Sequence, residues 1–195
     1  MISRKINPDL ESYLDQKLQG LGACAEAIAR KDARLVMQYA ALACIGIRED
    51  KGRPNKGRLI QLFTDTVGAP DVIPWCMAFV QSMVAYAEEK TGLVSPVLAT
   101  EHCMTCWRDT PKAQKVKLYP LPGAIVIWRH AGTDSGHTGL FLEGDRKNFL
   151  AVEGNTGGGL GSNDEVVREG DGVYRTTRPM GKIGDMELMG FLKPF

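Results

Sequence analysis

The hydrophobic periodicity of the chain changes once, near residue 116, and that change limits the fold more than any other feature. Before it, apolar residues recur at helical spacing. Leu10, Tyr13, Leu14 and Leu18 mark a first helix, which Gly20 and Gly22 interrupt. An Ala-rich second helix runs from Ala23 to about Ile47, with Leu35, Val36, Tyr39, Leu42 and Ala43 on one face. Residues 48–56 form a polar loop, and Gly57 to Val67 a short amphipathic helix. Phe79, Val80, Met83, Val84 and Ala87 then share one face of a helix ending near Thr91-Gly92. Thr100 is the expected cap of a short helix that carries Cys103 and Cys106. After residue 116 the pattern is that of strands. Ala124 to Trp128 is a continuous apolar run, as in a central strand covered on both sides. His137 to Leu142, Phe149 to Glu153, Val166 to Arg175 and Leu188 to Leu192 follow. Helices first and strands afterwards predict an α+β fold, with N-terminal helices packed against a C-terminal antiparallel sheet. The chain reads as one domain over residues 1–195, with 1–40 a helical N-terminal extension.

Composition narrows the possible partners. Lys and Arg number 24 and Asp and Glu 23, so there is no basic surplus for nucleic acid or an anionic membrane. No apolar run approaches a membrane span. The first residues are not followed by the apolar core of a signal peptide, which predicts synthesis in the cytoplasm. Five cysteines, an odd number without a dense framework, favour a thiol kept for chemistry over a disulfide scaffold.

That thiol is Cys76. Pro74 suits a first helical turn, so Cys76 stands at or just before the start of the Phe79 helix. Unpaired N–H groups and the positive end of the helix dipole stabilise a thiolate there, and the thiolate is the nucleophile. A base must come from elsewhere in the chain. If Phe141 pairs with Phe149 and Glu143 with Lys147, His137 lies directly opposite Glu153, with Cβ atoms about 4.5–5.5 Å apart. A register shifted by two puts Asn155 there instead. Either polar partner would fix the tautomer of His137 and leave its other nitrogen for a thiol. Nothing in the sequence sets a carboxylate across from His130, the rival base, and His102 ranks below it. Cys103 and Cys106, one helical turn apart beside His102, make half a zinc site without its other half, and read as packing residues, as do Cys24 and Cys44. The Gly-rich stretch Gly154–Gly161 lacks the Lys and following helix of a phosphate cradle.

Four pieces of the chain carry a family resemblance. They are Pro74-Trp75-Cys76-Met77-Ala78-Phe79-Val80, Leu121-Pro122-Gly123-Ala124-Ile125-Val126, Gly136-His137-Thr138-Gly139 and Val152-Glu153-Gly154-Asn155-Thr156. In combination and order they resemble the CHAP family, the cysteine- and histidine-dependent amidohydrolases/peptidases, over about residues 40 to 195. The resemblance implies a papain-like fold and peptidoglycan hydrolysis by an endopeptidase or N-acetylmuramoyl-L-alanine amidase. It implies Cys76 as nucleophile, His137 as general base, Glu153 as its orienter and Asn155 as a further polar site residue. Trp75, Trp128 and the Gly154–Gly161 stretch are the expected walls of a substrate groove, although both tryptophans fit a core equally well. Some members carry a calcium loop of closely spaced aspartates. Asp65 and Asp71 do not reproduce it, so no metal and no cofactor are expected. The chain has no room for the wall-binding domain that often accompanies the family. Without a signal peptide, two routes to the wall or periplasm fit. One is a phage endolysin released by a separate permeabilising protein. The other is an exported interbacterial effector, whose producer carries a neutralising immunity protein. Alternatives from other classes are a wall- or peptide-binding module without catalysis, a papain-like protease acting on proteins, and a transglutaminase-like acyl transferase.

Overall fold

The computed structural model describes residues 4–69, 72–157 and 170–195. Its helices are α1 (Pro8–Leu18), α2 (Gly22–Ala29), α3 (Ala33–Ala43), α4 (Arg58–Thr66), α5 (Cys76–Thr91) and α6 (Cys103–Asp109). A short 3-10 turn, Lys112–Gln114, leads into the strands β1 (Lys115–Val116), β2 (Ile125–His130), β3 (Gly136–Gly144), β4 (Asn148–Thr156), β5 (Gly172–Pro179) and β6 (Met186–Leu192). These form one antiparallel sheet in the order β1-β6-β2-β3-β4-β5. The fold is therefore α+β, with the helices ahead of the strands.

The expected second helix is two. Lys31 takes a left-handed conformation (φ 56°), and the Asp32 carboxylate accepts from the Leu35 N–H at 3.2 Å to start α3 afresh. Periodicity does not reveal such a break, because a side-chain cap competes with the continuing helix. The expected cap Thr100 is also displaced by two residues. His102 Nδ1 accepts from the Thr105 N–H at 3.2 Å and opens α6, while Thr100 Oγ1 accepts from the His102 N–H. The strand expected over Val166 to Arg175 lies at Gly172–Pro179, and residues 166–169 are outside the described ones.

Helix α5 is the axis of the molecule. One apolar face was expected, but every residue from Cys76 to Ala87 is buried. A helix covered all round belongs in the centre of a core. Helices α3 and α4 cover it on one side and strands β3 and β4 on the other. Leu10, Leu14, Val36, Phe63 and Phe79 share one apolar cluster with Ile125, Ile127, Leu140 and Val152 of the sheet. The alternate residues Val126, Trp128, Phe141, Ala151 and Phe191 form a second, aromatic-rich cluster on the opposite face, as a period of two requires.

Glycine sets the closeness of α5 to β4. A Cβ at Gly154 would lie 2.7 Å from the Trp75 ring and 2.8 Å from Phe79 Cβ. No ordinary side chain fits there, so the start of α5 rests directly on the strand backbone.

Candidate active site

Cys76 is the first residue of α5, and no side chain caps that helix start. The Met77 N–H donates to its sulfur, and the His137 ring makes a side-chain hydrogen bond with it. Cys103 Sγ lies 3.8 Å from Cys76 Sγ. These donors outweigh burial and hold the Cys76 thiol well below its ordinary range, the Cys103 contact contributing most. Cys103 moves in the opposite direction, first because the neighbouring Cys76 sulfur favours its protonated form, then because it is buried. The pair is thus one thiolate accepting from one thiol.

His137 is the second residue of β3, paired with Trp128 of β2. The Trp128 ring stacks on the imidazole, with centroids 5.8 Å apart and planes at 25°. His137 Nε2 meets Glu153 Oε2 at 2.9 Å, which leaves Nδ1 for the thiol. Burial opposes charge on the ring, but Cys76 and Glu153 override it, and the imidazole is pushed up to about 9. A thiolate beside an imidazolium is the resting form that follows.

The route by which Glu153 reaches His137 differs from direct opposition. Near the site, Leu140 pairs with Val152 and Phe141 with Ala151, the register shifted by two, and a bulge follows between Phe141 and Glu143. Glu153 therefore crosses the ladder diagonally, a distance long side chains span. Gly139 makes the room, because a Cβ there would lie 2.5 Å from Glu153 Cγ. Glu153 is fully buried. Arg178 of β5 clamps it, Nε to Oε1 at 2.8 Å and Nη2 to Oε2 at 2.6 Å, and Thr176 Oγ1 donates as well. Burial raises its carboxyl, but Arg178 and then His137 prevail and hold it down at about 2. A buried carboxylate survives only when paired in this way. Arg178 had no signal in the sequence.

Asn155 is not the orienter. It sits in the β4–β5 irregularity between Glu153 and Thr156, in a left-handed conformation (φ 54°) that Asn tolerates. With the amide oriented by its neighbours, its oxygen accepts from the Trp75 N–H (3.2 Å) and its nitrogen donates to the Gly170 carbonyl (2.9 Å). Asn155 steadies Trp75, the residue before Cys76, and borders the cavity.

The expected groove walls are corrected. Trp75 and Trp128 are fully buried. Trp75 stacks on Phe63 and donates its indole N–H to Glu49 Oε1 at 2.8 Å. Trp128 lies between the His137 and Phe149 rings. Both hold site residues in place and face no substrate. Of the stretch Gly154–Gly161, residues 154–156 end β4 and residues 158–161 lie outside the described ones.

A cavity of about 250 Å³ opens over these groups, lined by Ile73, Pro74, Cys76, Cys103, His137 and Asn155 among others. Glu101, His102 and His130 also line it, and Glu101 Oε2 is buried with no hydrogen-bond partner among the described residues. The reading of His130 needs amendment, because Asp185 Oδ2 lies 2.9 Å from its Nδ1. A larger hollow of about 730 Å³, lined by Arg30, Arg34, Tyr119 and Lys193, has no cysteine or histidine in its lining. Among the described residues no three His, Cys, Asp or Glu side chains are grouped to hold a metal ion, and no helix is long and apolar enough to cross a membrane. Asp71 lies outside them.

Comparison of the chain with protein-family models, with curated proteins and with solved structures returned no match.

Proposed function

We propose that the chain is a cysteine-dependent amidohydrolase of the CHAP type, papain-like in arrangement, that cleaves an amide bond of the peptidoglycan peptide. The observation that carries the reading is the Cys76–His137–Glu153 relay at the start of α5, open to one cavity. A binding module has no use for a thiolate–imidazolium pair, and nucleophilic catalysis requires one. The choice of peptidoglycan as substrate rests on the motif resemblance.

In the proposed reaction the Cys76 thiolate attacks the amide carbonyl. The tetrahedral oxyanion is met by backbone N–H groups at the start of α5, which have no partner within the helix. His137 then gives its proton to the leaving amine, and the C–N bond breaks to leave a thioester. A water molecule, deprotonated by His137, hydrolyses the thioester and restores the thiolate. Glu153 keeps the imidazole in the tautomer and orientation that both steps need. Arg178 keeps Glu153 ionised. Such an enzyme acts at the wall or periplasm, as a phage endolysin or as an exported antibacterial effector with a cognate immunity protein.

The test is to incubate purified sacculi with the wild type and with Cys76→Ala and to measure new amine ends. Release by the wild type alone supports the reading, and mass spectrometry of the fragments identifies the bond. Equal release by the two proteins, or none by either, overturns it.

A further inference from the structure

Five cysteines are free, and only Cys76 and Cys103 border the cavity. Their sulfurs are 3.8 Å apart, and a disulfide needs about 2.05 Å. Closure thus asks the two sulfurs to approach by under about 2 Å. Cys106, one turn further along α6, points elsewhere. Its sulfur lies 3.7 Å from the Leu98 carbonyl and 3.9 Å from Gln81 Nε2. The hydrolytic mechanism uses Cys103 only to steady the Cys76 thiolate, so the Cys103 sulfur itself makes and breaks no bond there.

We propose that Cys76 and Cys103 form a reversible oxidation site, in which hydrogen peroxide oxidises Cys76 and Cys103 resolves the product as a disulfide. The chemistry balances with peroxide as the only oxidant. The Cys76 sulfur attacks one peroxide oxygen, the O–O bond breaks, and the other oxygen leaves as water with a proton from His137. Sulfur has lost two electrons and stands as sulfenic acid. The Cys103 sulfur then attacks the sulfenic sulfur. The S–S bond forms, the S–O bond breaks, and the hydroxyl leaves as water with the Cys103 proton. Two thiols and one peroxide become one disulfide and two waters. The division of labour suits the pair, since Cys76 is the more acidic sulfur and Cys103 the protonated one. The disulfide stops the nucleophile and shields it from irreversible oxidation. A thiol reductant restores it. This inference stands whether or not the substrate is peptidoglycan.

The experiment treats the full chain with equimolar hydrogen peroxide, blocks remaining thiols, digests with trypsin and maps peptides by mass. The expected result joins the peptide spanning residues 59–90, which holds Cys76, to the one spanning 91–108, which holds Cys103 and Cys106, with the loss of two hydrogens. Dithiothreitol should separate them. Cys106→Ser should keep the cross-link, and Cys103→Ser should abolish it and raise the irreversible loss of the Cys76 thiol about tenfold or more. The proposal is overturned if wild-type Cys76 accumulates as sulfinic acid while Cys103 stays open to alkylation. It is equally overturned if the link survives in Cys103→Ser. Should Cys103→Ser fail to fold, mapping of the wild type and Cys106→Ser decides alone.

Discussion

Two histidines border the same cavity, each paired with a carboxylate behind it, and the pairs differ mainly in what surrounds them. His137 meets Glu153 and His130 meets Asp185, each at 2.9 Å. The Glu153 side chain is 0% exposed and that of Asp185 is 72% exposed. Water screens the second pair, so its attraction is worth little. The first is sealed in, and its charges act at low effective dielectric. Glu153 is also fixed by Arg178, and His137 by the Trp128 ring and the Cys76 sulfur. In the proposed reaction, enclosure and the Cys76 sulfur set His137 apart as the base, since both histidines have a carboxylate neighbour.

The contrast breaks most sharply in turnover. His137→Ala should lower the release of amine ends from sacculi by about 10³-fold or more, as loss of a nucleophile's base does. His130→Ala should change it less than about threefold, because its partner Asp185 is exposed and the pair is screened by water. Comparable losses in the two variants would end the distinction.

Stability separates the two carboxylates next. Arg178→Met leaves Glu153 buried with only His137 to balance it, and should cost about 3–5 kcal/mol in urea unfolding. Asp185→Asn should cost no more than about 0.5 kcal/mol. The pH dependence has a defined sign. Glu153 titrates at about 2 in the folded chain, against an ordinary 4.5. Its contribution is therefore complete above about 4.5 and is lost as pH falls through about 2. His137 is raised from 6.5 to about 9. Taken alone, it adds stability below 6.5 that is lost as pH rises through about 9. Cys76 shifts the other way, so between 6.5 and 9 the folded pair holds one proton, as the unfolded pair does. Wild-type stability should therefore be flat across that window in urea unfolding.

The finest test is the reactivity of the thiol. Alkylation of Cys76 by iodoacetamide should stay fast at pH 6 in the wild type and in His130→Ala. In His137→Ala it should be slower at pH 6, because the imidazole is lost from the groups that hold the thiol down, while the Cys103 and Met77 donors remain. Mass mapping of the alkylated peptide reads the difference.

The parts of this site that were legible in the sequence are those set by local pattern. The start of α5 follows from Pro74 and the apolar spacing after Cys76, and β3 and β4 from the short apolar stretches after residue 116. The pattern offers His137 two partners, Glu153 or Asn155 according to register, and reaches Glu153 only through direct opposition. The bulge after Phe141 shifts the ladder, and hydrophobic pattern does not record a bulge. Arg178 was invisible because its strand meets β4 only after the intervening residues, and an isolated Arg looks like surface. Cys103 was grouped with Cys106 by spacing, whereas the direction of α6 sends one sulfur to Cys76 and the other to Leu98. Trp75 and Trp128 carry no mark that separates a cavity wall from a buried support.

Gly154 has a consequence for how such a site can be inherited or redesigned. The gap between sulfur and imidazole is gauged by a missing methyl group, since Cys76 arrives on α5 and His137 and Glu153 on the sheet beneath. A single added carbon would act as a shim, lifting one bearing surface off the other while leaving every reactive atom in the sequence. Loss of the proposed chemistry can therefore come from a substitution that touches no reacting group.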